Sequence, residues 1–192
     1  MKKLLQYFLI LIACSLLFGC QTSANQEKDE QNGNENIIEG KDIFEFKHID
    51  KAPEATEKHP IEEVIKVYFN DWSIDKLHEG VAIDIENNEY YVNPIISGRG
   101  FRADYNYQIS GAEEVLKILE KYEVQSWKRD YTFEDPDSYQ DGYSWSLRLQ
   151  YENGSVSKHF GEGTSAAEIT PDDFEPFVSE LRNFVDEKME KN

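Results

Sequence analysis

The histidines and serines of this chain lack the spacing that metal binding or nucleophilic catalysis needs. The four histidines form no His-x-His or His-x₃-His pattern, so the sequence has no local set of zinc ligands. No Gly-x-Ser-x-Gly frames a serine for activation by a neighbouring base. We therefore predict no catalytic residue, no zinc site and no cofactor, and expect the histidines to face solvent from strands and loops: His48, His59, His78 and His159.

A cluster of carboxylates between residues 134 and 141 is the best candidate for a cation site. Asp135, Asp137 and Asp141 offer the hard oxygen ligands that Ca²⁺ prefers. An EF-hand loop starting at Asp135 needs glycine at its sixth position and glutamate at its twelfth, where this chain has Gln140 and Ser146. We favour an acidic turn before a strand, with structural calcium as the alternative, and predict no metal ion.

Two arginines lie among glycines in the stretch SGRGFR, residues 97–102. Backbone amides exposed by glycine, together with the guanidinium groups of Arg99 and Arg102, can bind a phosphate or a carboxylate. Neither a P-loop nor a dinucleotide-binding fingerprint accompanies them. An anion- or ligand-binding loop is therefore one hypothesis, and a loop whose glycines only turn the chain is the favoured one.

The charge balance argues against nucleic acid as a partner and against membrane binding by charge. The 192 residues include 20 lysines and arginines against 38 aspartates and glutamates, a formal net charge of −18. So acidic a surface repels phosphate backbones and anionic lipid headgroups, and we predict no nucleic-acid partner and no membrane binding by charge. Since 39% of the residues are hydrophobic, the chain can build a core, and we expect a folded monomer.

The first 20 residues have the pattern of an export signal. Lys2 and Lys3 precede an apolar run from Leu4 to Phe18, about 15 residues long. A transmembrane helix needs roughly 20 apolar residues, so the run favours the hydrophobic region of a signal peptide.

The end of this run, Leu17-Phe18-Gly19-Cys20, resembles the lipobox of bacterial lipoproteins. The resemblance implies that the Gly19–Cys20 bond is cleaved, that Cys20 receives a diacylglycerol, and that membrane lipid is a partner through acylated Cys20. It also implies a location on the outer face of the cell membrane. Two acyl chains anchor a protein stably, at about 0.8 kcal/mol per buried CH₂.

Composition divides the chain into three segments. Residues 1–19 are the predicted signal peptide, residues 20–40 the lipidated cysteine with a polar tether, and residues 41–192 a single domain. As a flexible coil, the tether would reach roughly 25 Å. Within the domain, residues 42–46 are expected to form a short strand, whereas residues 61–69 are compatible with a strand or a short helix.

Two hairpins are predicted around tight turns. Residues 81–86 and 89–95 flank Asn87-Asn88, which places Ile85 opposite Tyr90. Residues 101–109 also alternate between polar and apolar side chains.

The second hairpin has the stronger pattern. Tyr143–Tyr151 alternates strictly, and Asn153-Gly154 is a preferred two-residue turn. This turn places Phe160 opposite Leu147 on the apolar face, and Arg148 opposite His159 on the other face.

Two amphipathic helices complete the predicted fold. Ser110 and Glu113 form a capping box before the first, and Thr170-Pro171 opens the second. The order β-β-β-α-β-β-α predicts an α+β fold, a largely antiparallel sheet with both helices packed on one face. Trp145 should face the apolar stripe of the second helix: Phe174, Phe177, Val178, Leu181, Phe184 and Val185.

A second resemblance covers the stretch from Glu113 to Phe184. Trp127, the segment DGYSWSL at residues 141–147, Gly161 and the segment PDDF at residues 171–174 resemble a group of small lipoproteins and secreted proteins of Gram-positive bacteria. That group has no established activity, so the resemblance implies a fold and no catalytic residues.

These observations favour a membrane-anchored extracytoplasmic module that binds an envelope protein or a cell-wall ligand without catalysis. Tyrosines on a polar face or in loops are the best hint of its binding surface: Tyr91, Tyr131 and Tyr139. One alternative is a cell-envelope hydrolase that uses a pair of carboxylates. The other is an accessory subunit of a membrane complex that acts through its sheet edge.

Overall fold

The computed structural model describes residues 40–73, 76–108, 110–133, 142–163 and 169–190. Its strands in these ranges are β1 (Val64–Ser73), β2 (Lys76–Asp84), β3 (Glu89–Val92), β4 (Ile95–Ser97), β5 (Gly100–Arg102), β6 (Tyr105–Gln108), β7 (Tyr143–Tyr151) and β8 (Val156–Gly163). The α-helices are α1 (Val115–Lys121) and α2 (Phe174–Glu190), and 3₁₀ turns cover Gly40–Phe44, Phe46–His48, Ile61–Glu63, Ala112–Glu114 and Val124–Ser126.

The main sheet is antiparallel throughout, in the order β6-β3-β2-β1-β7-β8, and β4 pairs with β5 in a separate hairpin. Apolar residues of β1, β2 and β7 share one face with the buried stripes of α1 and α2. The predicted α+β fold, a largely antiparallel sheet with two helices packed on one face, is confirmed.

The helix-covered face is built around aromatic contacts. Trp145 is 2% exposed, its ring centre lies 4.7 Å from that of Phe174, and its indole N–H donates to the carbonyl of Ile169 (2.6 Å). Phe69 of β1 packs between Phe174 and Phe177, with ring centres 6.0 and 6.2 Å away. The prediction that Trp145 faces the stripe of the second helix is therefore confirmed.

The opposite face, which we call the second face, is also covered, although no pattern in the sequence predicted this. The chain from residue 40 to residue 52 and the β4–β5 hairpin lie over it. The buried side chains there come from four separate parts of the chain: Phe46, Ile49, Ala52, Tyr68, Ala82 and Val156. Both faces of the sheet therefore bury side chains.

The predicted register of the β7–β8 hairpin is wrong by one residue. Leu147 lies opposite His159, whereas Phe160 points to the second face. The backbone N–H of Tyr151 donates to the carbonyl of Ser155 (2.9 Å), which leaves a three-residue loop, residues 152–154, with Gly154 at a φ of 84°. This loop is one residue longer than the predicted two-residue turn. The shifted register brings Gly161 opposite Trp145, where a larger residue would contact the Ile169 carbonyl.

The β2–β3 hairpin keeps its predicted faces but shifts by two residues. Ile83, not Ile85, lies opposite Tyr90. A four-residue turn replaces the two-residue turn because the Asp84 carboxylate accepts a hydrogen bond from the backbone N–H of Asn87 (3.1 Å). A shift of two residues leaves the alternation of side chains unchanged.

Shorter segments also differ from expectation. Residues 42–46 form 3₁₀ turns in place of a strand, because Phe46 turns inward to the second face. Residues 61–69 form a 3₁₀ turn and then enter β1. The stretch expected over 101–109 divides into β5 and β6 in different sheets, because the backbone N–H of Asp104 bonds to the carbonyl of Val92 (3.0 Å).

Neither helix begins as predicted. The first helical turn starts with Gly111 at a φ of 86° and makes no side-chain capping bond, so the Ser110–Glu113 capping box is wrong. The backbone N–H of Ala112 instead donates to the Asn88 side chain (3.2 Å). Helix α2 starts at Phe174, after a turn, whereas Pro171 was expected at its first position.

Candidate binding cleft

A buried ion pair lies on the second face of the sheet. Alternation puts Lys66 of β1 and Asp84 of β2 on this face, and the register places them directly opposite one another. Only 5% of the Lys66 side chain and 7% of the Asp84 side chain are exposed, and the ammonium donates to the carboxylate. Because burying an ion costs several kcal/mol, this pair must be closely supported by its surroundings.

Hydrogen bonds satisfy the carboxylate more fully than the ammonium. Both oxygens of Asp84 accept from Asn87, one from its backbone N–H (3.1 Å) and one from its side-chain amide (2.9 Å). The Lys66 ammonium has three N–H donors and lies 5.1 Å from the centre of the Phe46 ring. In the described ranges only Asp84 accepts from it, so two donors remain for a ligand or water.

Three aromatic rings stand beside the ion pair. Phe46 and Phe101 stack with ring centres 5.1 Å apart at 20°. Tyr91 of β3 meets both rings edge-on, at 5.5 and 5.0 Å. Its hydroxyl donates to Glu89, and burial together with this carboxylate raises the pKa of Tyr91 above its ordinary value. The tyrosine therefore stays neutral and fixed in place.

These groups border a cleft of about 480 Å³, which we call the aromatic cleft. Its volume lies within the range of about 300–1,000 Å³ typical of small-molecule sites. At its rim, Lys47 pairs with Glu45 (2.7 Å) and holds the pKa of that carboxyl below its usual value. The cleft combines apolar walls with a few polar groups: Phe44, Phe46, Tyr91 and Phe101 with Lys66, Asp84, Glu86 and Asn87.

The predicted arginine loop is part of the same region, but its arginines stay outside the cleft. Arg99 forms the turn between β4 and β5, and Arg102 lies at the end of β5, both exposed. Within the described part of the chain neither guanidinium has an ion-pair partner. Phe101, between them, is the residue of this hairpin that enters the aromatic cleft.

Several predicted residues lie outside the described ranges. They include the lipidation and cleavage residues Gly19 and Cys20, the acidic loop with Asp135, Asp137 and Asp141, and Tyr139. Among the described residues, no group of three histidine, cysteine, aspartate or glutamate side chains is arranged to hold a metal ion.

The expectation of solvent-facing histidines is wrong for His159. His159 is only 6% exposed. Its Nδ1 donates to the carbonyl of Lys128 (3.0 Å), and its Nε2 is buried without a partner among the described residues. Burial lowers the pKa of His159. His48 and His59 are half-buried and bond to the Asp42 carbonyl (2.8 Å) and the Glu63 carboxylate (3.0 Å).

A larger depression, of about 680 Å³, lies between the end of α1 and the start of α2. Its charged groups belong to the surface: Lys121 is 58% exposed and pairs with Glu180 of α2. Tyr131 also borders it, but its ring packs on Trp145 (5.7 Å) and its hydroxyl accepts from the backbone of Lys128 (3.0 Å). The aromatic cleft is the better candidate because its ion pair is buried.

Comparisons with protein families, with curated proteins and with solved structures find no match to this chain. Among the helices that the structure describes, none is long and apolar enough to span a membrane.

Sequence reasoning missed the ion pair and two of the three rings. Lys66 and Asp84 are 18 residues apart, and only the pairing of β1 with β2 brings them together. A strand assignment for residues 64–73 would have revealed the pair, because a lysine among apolar residues then needs an acidic partner on the neighbouring strand. Tyr91, in contrast, was predicted from the sequence as part of a binding surface, and it lines the cleft.

Proposed function

We propose that this protein is a lipoprotein anchored through Cys20 on the outer face of the cell membrane, and that it binds a ligand in the aromatic cleft without transforming it. The lipobox-like sequence supports the anchor. The observation that supports binding is the buried Lys66–Asp84 pair, which borders an aromatic-lined cleft. Two N–H groups of the Lys66 ammonium have no acceptor among the described residues and can donate to a ligand.

The side chains of the cleft disfavour an anionic ligand. Lys66 and Asp84 neutralise one another, as do Glu45 and Lys47 at the rim, and the remaining charged group of the lining is the carboxylate of Glu86. The aromatic rings favour a ligand with an apolar face, and the free donors of Lys66 favour acceptor oxygens. A sugar ring has both features, and cell-wall glycan is an extracytoplasmic source of it.

Hydrolysis by a carboxylate pair is less well supported. Asp84 is the buried carboxylate of the cleft, and both of its oxygens are engaged by Asn87 while one also accepts from Lys66. A general acid or nucleophile needs a free oxygen directed at the substrate. The geometry around Asp84 therefore favours a binding role.

The test is titration of the full-length protein in detergent with oligosaccharides of N-acetylglucosamine and of glucose, followed by calorimetry and by backbone amide NMR. Binding should shift the amide signals of Lys66, Asn87 and Tyr91. Replacing Phe101 by Ala removes one wall and should weaken binding about tenfold or more, the loss of roughly 1.4 kcal/mol.

The matched control is Arg99→Ala in the same hairpin, an exposed residue outside the cleft. It should bind the saccharides like the wild type. If Arg99→Ala loses binding while Phe101→Ala retains it, the ligand site is the anion-binding loop and the cleft proposal is wrong. Failure of every saccharide to bind would remove the proposed ligand class.

A further inference from the structure

The two edges of the main sheet are protected very differently. Strand β8 forms one edge, and loop backbone covers it. The N–H of Val156 donates to the carbonyl of Pro53 (2.8 Å), the N–H of Phe160 donates to Arg129 (3.0 Å), and the N–H of Tyr131 donates to Phe160 (2.9 Å). These bonds leave little of the β8 edge open to another chain.

The other edge, β6, is open in the described structure. Strand β6 pairs with β3 on its inner side, and no described segment bonds to its outer side. Natural sheets commonly protect such an edge with lysine, proline or a bulge. The strand Tyr-Asn-Tyr-Gln, residues 105–108, contains no charged residue or proline. With respect to the described ranges, its outer N–H and C=O groups are therefore free to pair.

The side chains of β6 add a platform to this open edge. Tyr105 is 63% exposed, the most exposed large aromatic or aliphatic side chain among the described residues. Tyr107 lies on the same face, with its ring centre 6.4 Å away, and packs partly against the helix-side core. Tyrosines of this kind are enriched where proteins bind one another.

Acidic side chains predominate near the edge, although the exposed Arg102 at the end of β5 also precedes it. Asp104 precedes β6, Glu89 lies opposite Gln108 in the β3–β6 register, and Glu113 is exposed near the hydroxyl of Tyr90. A second copy of this chain would bring the same acidic groups, and a net charge of −18, against this edge. A basic partner is therefore favoured over self-association.

We propose that β6 binds an extended, basic segment of another protein, which joins the sheet as a seventh strand. A row of free backbone donors and acceptors is matched by an extended backbone, and alternate apolar side chains of the segment would pack on Tyr105 and Tyr107. Basic side chains at the intervening positions would meet the acidic surroundings. This surface is separate from the aromatic cleft and does not depend on the function proposed for it.

The experiment uses the full-length protein in detergent and a synthetic peptide of alternating lysine and valine. Hydrogen exchange should slow at the amides of residues 105–108 when the peptide binds. The same peptide with alternate backbone nitrogens methylated cannot complete the ladder, and its affinity should fall about tenfold or more. Glutamate in place of lysine should abolish binding.

The protein variant is Tyr105→Ala. Because the Tyr105 side chain is exposed, it contributes little to the stability of the fold. The affinity of this variant for the peptide should also fall about tenfold. Trp72→Ala is the matched control, since Trp72 is 47% exposed on the other face of the sheet, and it should bind like the wild type. Equal binding of the methylated peptide, or equal losses in both variants, would mean non-specific attraction to an acidic protein and overturn the proposal. Protection of residues 105–108 without peptide, together with sedimentation as a dimer, would assign the edge to a second copy.

Discussion

Removing the ammonium of the buried ion pair should destabilise the protein strongly. Lys66→Met keeps a long apolar stem but leaves the Asp84 carboxylate without its cation. Breaking a buried pair in this way typically costs about 3–5 kcal/mol. Because Asn87 still donates to both oxygens of Asp84, we expect the lower end, about 3 kcal/mol, out of a typical domain stability of about 5–15 kcal/mol.

The double variant Lys66→Met/Asp84→Leu tests whether the loss comes from the unpaired charge. An apolar pair of similar size is often neutral or stabilising in place of a buried ion pair. Here the variant also removes two hydrogen bonds from Asn87, about 1 kcal/mol each, so we expect a net loss of about 1–2 kcal/mol. It should therefore be more stable than Lys66→Met.

The assay is guanidinium unfolding of the wild type, the two single variants and the double variant. The slopes should be unchanged, so that midpoints report stability, and the double-mutant cycle should give a coupling energy of several kcal/mol. Since buried pairs are screened only weakly, added sodium chloride should change this coupling little. If Lys66→Met lowers the free energy of unfolding by less than about 1 kcal/mol, the ion pair is solvated like those at exposed sites. That result would refute the claim that a buried ion pair lies in the aromatic cleft.

Three further predictions concern the core, the buried histidine and the anchor. Trp145→Phe should cost about 1–3 kcal/mol in a chemical melt, because the Ile169 carbonyl loses its donor, and Trp145→Ala about 3–5 kcal/mol; equal losses would contradict this. Burial lowers the pKa of His159, so the unfolded chain takes up its proton first and the free energy of unfolding should fall below about pH 6.5. Melts of His159→Gln should lack that part of the pH dependence. Cys20→Ala should abolish labelling by a fatty-acid probe and release the protein from membranes; retained labelling would end the lipoprotein proposal.

The fold was predictable where one strand or helix carries its own pattern. The strict alternation of residues 143–151 identifies β7, and the apolar stripe of residues 174–185 identifies α2 without any partner. Packing the two together follows from their apolar faces. The α+β class therefore depends on local periodicity, which a single sequence contains.

The register of β8 was not predictable in the same way. Asn153-Gly154 suits both a two-residue turn and a three-residue loop with glycine in the left-handed region. The choice depends on distant contacts, since Gly161 is needed opposite Trp145 and Ile43 packs against Gly154. One residue of difference exchanges the faces of His159 and Phe160, and sequence periodicity could not decide it because β8 does not alternate clearly.

The candidate site was the least predictable part, because its residues come from segments with no shared pattern. Phe46 lies in a 3₁₀ turn, Lys66 and Asp84 on two strands, and Phe101 on a separate hairpin. The glycine-rich loop was a candidate ligand-binding loop because of Arg99 and Arg102, yet the residue of this loop that lines the cleft is Phe101, between them. Charged residues can be recognised in a sequence as candidates for ligand binding, whereas the aromatic walls of a cleft are formed only by tertiary packing.

The position of the aromatic cleft bears on where its ligand would be met. Phe46 belongs to the segment that covers the second face, and hydrogen bonds hold this segment on the sheet. The Gln150 amide donates to the carbonyl of Ile43 (2.8 Å), and the Lys158 ammonium donates to the carbonyl of Asp50 (2.9 Å). If Cys20 is the anchor, as proposed, the tether predicted from the sequence would hold the domain within roughly 25 Å of the membrane. We therefore expect the ligand of the cleft to be glycan that lies close to the membrane surface.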